Sequence, residues 1–177
     1  PGKVDAMTFR EDTGVYIPKD HKLSMQFHFT TNGKATTDET VIGLYMYDEP
    51  PKYENFTRSV ASQFRIPPYA QDHESHAQYT FDEDVVLTGL RAHMHFRGKY
   101  MRFYADYPDG SSEELINIAQ YNYAWQMSYT YAEPKFVPAG TKITAVGAFD
   151  NSSQNAMNPD PERTVPWGQQ SWDEMFF

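Results

Sequence analysis

A chain of 177 residues fits one domain, or one domain with part of another, and a compact fold of that length buries about 70% of the surface its unfolded chain exposes. A net charge of −9 and a pI near 5.0 lack the basic stripe that nucleic acid requires, and no stretch approaches the ~18 consecutive apolar residues of a membrane helix. Zero Cys excludes disulfides and thiolate metal sites, while 13 Tyr, 12 Phe, 12 Pro and 10 Gly favour pleated strands over helices, so the composition reads all-β.

The chain opens at Pro1-Gly2 without Met, which reads as a processed or partial product. Residues 1–18 are irregular, with a turn at Asp12-Thr-Gly14. His21–Thr30 alternates, placing Leu23, Met25, Phe27 and Phe29 on one face and Ser24, Gln26 and His28 on the other; this predicts a half-buried strand. A second strand is expected at Thr40–Tyr47. Glu49-Pro-Pro-Lys52 then breaks the pattern, and it divides the chain into residues 1–52 and 53–177. Further strands are expected near Ser59–Ile66, His76–Phe81, Asp84–Arg97, Tyr100–Tyr107, Glu113–Ala119, Tyr123–Ala132 and Thr141–Phe149. Turns fall at Pro108-Asp-Gly110 and Pro138-Ala-Gly140, a long polar loop over Asp150–Pro166 and a short strand over Ser171–Phe177. Short strands separated by turns every 8–12 residues predict an antiparallel sandwich or jelly roll. Asn55-Phe-Thr57 and Asn151-Ser-Ser153 match the glycosylation triplet, which has no meaning in a bacterial protein.

The stretch with the most chemistry is Arg91-Ala-His-Met-His-Phe-Arg-Gly98. On a strand, His93 and His95 share one face about 6–7 Å apart along the backbone, and Met94 and Phe96 point the other way. Two such imidazoles can converge on one metal ion; hydrogen-bonded or exposed histidines are the alternative reading. At the far end, Trp167–Met175 offers two further groups. Asp173 and Glu174 could serve as a general acid/base pair, or could be solvated charges beside a buried Trp172. Met175 carries a soft thioether that favours Cu(I), while imidazole accepts either copper oxidation state; a lone Met is otherwise a core filler.

Taken together, Arg91–Gly98 and the terminal Asp173-Glu-Met175 resemble the copper type II, ascorbate-dependent monooxygenases. That family includes the peptidylglycine α-hydroxylating and dopamine β-monooxygenases, and the likeness is closer to their bacterial relatives. It extends through Tyr107-Pro-Asp-Gly110, Trp125-Gln126, Pro138-Ala-Gly-Thr141, Asp150-Asn-Ser152, Asn158-Pro-Asp-Pro161 and Trp167-Gly168.

The resemblance implies two jelly-roll β-sandwich domains, each with one copper. Residues 53–177 would be the second domain, in which His93, His95 and Met175 hold the copper that activates dioxygen against a substrate C–H bond. Residues 1–52 would be the tail of the first, whose copper passes electrons from ascorbate. Met25-Gln-Phe-His-Phe29, with Gly33 and Asp38, resembles a motif of that first domain, so His28 is expected as one of its three ligands. The other two histidines of the family lie upstream of Pro1, and the family's animal disulfides are absent here. His73, His76 and His21 match no ligand of the family and read as surface histidines. An upstream domain or a separate chain would have to complete the His28 site. The substrate would be a small molecule or a peptide, and the family's setting is extracytoplasmic, periplasmic or secreted. The alternative is a non-catalytic β-sandwich, a structural or interaction subunit of a larger extracytoplasmic assembly, which the many aromatics also fit.

Overall fold

The computed structural model describes residues 7–29 and 31–177, and among these it contains strands and no helix. Arg58–Phe177 form one compact unit, and the described residues up to Thr57 form another.

In the smaller unit, β1 (Thr13–Gly14) pairs in parallel with β2 (Tyr53–Glu54). The Tyr47 hydroxyl donates to the Thr13 carbonyl at 3.1 Å. The β1–β2 pairing retains residues 53–57 in this unit, so the division falls at Thr57/Arg58 rather than at the proline break after Lys52. The expected strands at His21–Thr30 and Thr40–Tyr47 do not form; Thr30 lies outside the described residues, and the remainder of both segments is extended and exposed without a ladder. Their alternation is real, but a strand needs a neighbour to receive its backbone N–H and C=O groups. Leu23, Phe27, Phe29, Val41 and Tyr45 all remain exposed.

The larger unit pairs its strands antiparallel. It comprises β3 (Arg65–Ile66), β4 (His73–Thr80), β5 (Val85–Arg91), β6 (Gly98–Asp106), β7 (Ser112–Ile118), β8 (Ser128–Val137), β9 (Lys142–Phe149) and β10 (Val165–Pro166). One sheet runs β4-β9-β6-β7, a second pairs β5 with β8, and β10 pairs with β3. Period-two patterning builds the first sheet: Met101, Phe103 and Ala105 of β6 and Ile143 and Ala145 of β9 are buried, while the residues between them are not. They share one core with Val137 of β8 and the partly buried Val85, Leu87 and Leu90 of β5.

Both predicted glycine turns form. Thr141 N bonds the Pro138 carbonyl at 3.1 Å with Gly140 at φ 87°, and Gly110 N bonds Tyr107 O at 3.0 Å with Gly110 at φ 87°. Each position needs the left-handed backbone that glycine adopts without steric cost.

Two further expectations are corrected. Asp84–Arg97 is not one strand: pairing with β8 ends at Arg91, and residues 92–95 run on, extended, toward a turn at 96–97. They form the crossover from the β5–β8 sheet to β6 of the other sheet. Ser171–Phe177 is not a strand either; Glu174 makes an isolated bridge with Trp167.

Candidate metal centre

The crossover keeps the alternation of a strand without its ladder. Ala92 and Met94 are buried, Met94 completely, and His93 and His95 lie on the other side with ring centroids 5.1 Å apart at 88°. Tyr121 pins the residue between them: its hydroxyl accepts from Met94 N at 2.9 Å and donates to Met94 O at 2.8 Å. Burial raises the Tyr121 pKa, which preserves the proton used in that bond.

The C-terminal segment lies against this crossover. His93 and Phe177 exchange backbone bonds, 2.7 Å from His93 N and 3.2 Å from Phe177 N, and their rings stack with centroids 4.5 Å apart. Such an exchange is that of an antiparallel pair, and it sets the C-terminal segment that carries Met175 beside the crossover that carries His95. Glu174 and Phe176 are fully buried and Met175 and Phe177 half-buried, so Met175 shares the face of Phe177 and of the two histidines.

The two imidazoles are held differently. His95 is 4% exposed, and its Nδ1–H donates to the Asp173 carbonyl at 3.3 Å, which orients the ring. His93 is half-buried, and its pKa is lowered to about 4. Burial is the main cause and the His95 ring the next; the Gln126 side chain pulls the other way, and Arg91 lowers it further. Gln126 is buried and donates through Nε2 to Tyr123 O at 2.9 Å. Two imidazoles on one face and a thioether on the adjoining segment are donors of the kind a soft cation takes.

The sign of the His93 shift sets a pH dependence. Between pH 6.5 and 4 the unfolded chain binds a proton at this position that the folded metal-free chain does not, so stability is full above 6.5 and is lost as pH falls toward 4. With the ring half-exposed, the loss is about 2 kcal/mol. Urea denaturation of metal-free protein at pH 7 and pH 4 measures it, and His93→Gln should shrink the difference by that amount.

The acidic pair behaves as neither sequence reading expects. Trp172 is exposed, not buried, and Asp173 pairs with Arg163. Glu174 is fully buried: Oε1 accepts from Arg97 N at 2.6 Å and Oε2 from His95 N at 2.7 Å. Burial raises the pKa of its carboxyl, but the Arg97 and His95 backbone N–H groups, one on each oxygen, and the Arg97 guanidinium favour the carboxylate form. That guanidinium, 4.0 Å away and also fully buried, donates to Asn151 Oδ1 at 2.8 Å and to Trp172 O at 2.9 Å. Asn151 in turn donates to Pro67 O and Arg163 O, both at 2.9 Å, and is itself fully buried, so the triplet Asn151-Ser-Ser153 cannot accept a glycan in the folded chain.

His28 is exposed on residues 21–29, in the smaller unit. Among the described residues no group of three or more His, Cys, Asp or Glu side chains is gathered to hold a metal, so the candidate centre depends on its thioether. His73 and His76 lie on opposite faces of β4, His76 beside Glu74 at 2.7 Å, and His21 is exposed. Arg97, Glu174, Tyr121 and Gln126 surround the centre without having been expected there; the only hint was Arg97, a charge at the end of an alternating run. No protein-family model and no curated protein matches this chain, so the assignment of these residues rests on their geometry and chemistry.

Proposed function

We propose that this chain is the dioxygen-activating half of a copper-dependent, ascorbate-driven C–H hydroxylase, with copper on His93, His95 and Met175. The observation that carries the reading is the hydrogen-bond exchange and ring stacking between His93 and Phe177, which set the segment bearing Met175 against the stretch bearing both histidines. Copper, when bound, would supply the one-electron and oxygen chemistry. The chain's own part is to orient the donors: Asp173 O holds the His95 ring, Tyr121 holds the residue between the histidines, and burial favours the neutral form of His93. In this reading the larger unit, Arg58–Phe177, is a jelly roll, His28 belongs to a second copper site completed by an upstream domain or a separate chain, and the protein works outside the cytoplasm on a small molecule or peptide.

Anaerobic Cu(I) titration of the metal-free chain tests the proposal, with X-ray absorption to identify the donors. One equivalent bound by two imidazole nitrogens and one sulfur supports it; a chain that binds no Cu(I) ends it.

A second reading, a non-catalytic interaction module, is favoured by the smaller unit. Leu23, Met25, Phe27, Phe29, Val41 and Leu44 are all exposed there, a larger apolar display than scattered surface residues account for. Native mass analysis discriminates: a stable partner with no copper and no turnover with ascorbate supports the module.

A further inference from the structure

We infer that Glu174 is a positioning residue that sets the register between the two arms of the centre, gripping the histidine arm by its backbone from the position next to Met175. Its consequence at the metal rests on the copper reading above; the grip itself does not.

The two arms share one regular ladder pair, His93 with Phe177. An ideal antiparallel ladder would continue with a second bonded pair, His95 with Met175. It does not, because the chain turns at 96–97 to enter β6. His95 N turns instead to Glu174 Oε2 at 2.7 Å and Arg97 N to Oε1 at 2.6 Å. One side chain therefore replaces the missing ladder and joins the two arms.

The chemistry of the pocket selects this residue. The groups that meet the carboxyl are donors: the backbone N–H groups of His95 and Arg97, with the Arg97 guanidinium at 4.0 Å. A carboxylate accepts at both oxygens. Glutamine has the same shape but would turn an NH2 group toward one of the N–H donors. In a fully buried site that mismatch has no water to relieve it. Glu174 also lies in the chain directly before the thioether ligand, so any slip of its carboxyl moves Met175 relative to His95.

The test compares Glu174→Gln with the wild-type full chain by two measurements. In the metal-free chain, amide exchange at His95 and Arg97 should quicken by about tenfold or more, the loss of a charge-assisted hydrogen bond. With Cu(I), affinity should fall about 10- to 100-fold, and the Cu–S contribution to X-ray absorption should weaken while both Cu–N(imidazole) contributions remain. A general loosening of the fold would weaken nitrogen and sulfur donors alike, so the split identifies positioning. Wild-type exchange in folded Glu174→Gln overturns the inference, as does quicker exchange with an unchanged Cu–S contribution and affinity. Should Glu174→Gln fail to fold, Glu174→Asp keeps the charge and withdraws it by one methylene; the same changes in it support the grip, and wild-type behaviour overturns it. If the wild-type chain binds no Cu(I), the copper reading falls, and amide exchange alone decides: quickened amides support the grip, and unchanged ones overturn it.

Discussion

In the His93→Ala chain, Cu(I) stoichiometry should fall from one to zero, and likewise in His95→Ala. Either substitution leaves one imidazole and a neutral thioether, and two donors without charge do not hold a cation against a competing chelator. Met175→Ala should still bind, more weakly, because the imidazole pair is retained. The structural costs differ and serve as a control. His93 is half-buried, and its truncation mainly removes a ring stacked on Phe177. His95 is nearly fully buried, and its truncation also deprives the Asp173 carbonyl of its Nδ1–H donor, so His95→Ala should be the less stable of the two. Competition against a colorimetric Cu(I) chelator, with circular dichroism to verify folding, measures both effects. A folded His93→Ala chain that keeps one equivalent at wild-type affinity would place the metal elsewhere.

The parts of this arrangement that the sequence discloses are those governed by local rules. Met101, Phe103 and Ala105 alternate inward because β6 has bonded neighbours on both sides, and Gly110 and Gly140 end turns that their preceding prolines announce. The same alternation misleads where no neighbour strand lies beside it, as at residues 21–29 and 41–47. It also cannot tell a strand from an extended crossover: residues 92–95 keep period two and hence the shared face of His93 and His95, although their ladder has ended. The proximity of the two imidazoles therefore survives an incorrect strand boundary. What stayed hidden is the burial of Arg97 and Glu174, charged residues 77 positions apart. Nothing local marks them for the interior; only the return of the C-terminal segment to the crossover makes each the other's partner. Trp172 is the converse case, a large apolar side chain that local composition assigns to the core and the fold leaves outside.

Arg97→Ala should destabilise the larger unit by about 3–5 kcal/mol, the cost of leaving one member of a buried ion pair without the other. Arg97 is among the largest fully buried side chains, so its truncation also opens a cavity. Asn151 Oδ1 retains the Asn158 side chain and Trp172 O retains Arg163, but the Glu174 carboxylate loses the cation 4.0 Å away. Arg97→Lys should cost less, because it keeps a charge, yet an ammonium cannot span Asn151 Oδ1 and Trp172 O as the planar guanidinium does. The diagnostic variant is the double substitution Arg97→Met with Glu174→Gln. If the cost of Arg97→Met alone comes mainly from a stranded carboxylate, removing that charge too should recover part of it, and the two changes will not add. If it comes from the cavity and the lost bonds to Asn151 and Trp172, the double variant should be at least as unstable as the sum. Urea denaturation of the four chains separates these outcomes. A recovery of about 1 kcal/mol or more would identify the Arg97–Glu174 pair as electrostatically coupled within the core, and strict additivity would make Arg97 a hydrogen-bonding spacer for the loop that Asn151 anchors.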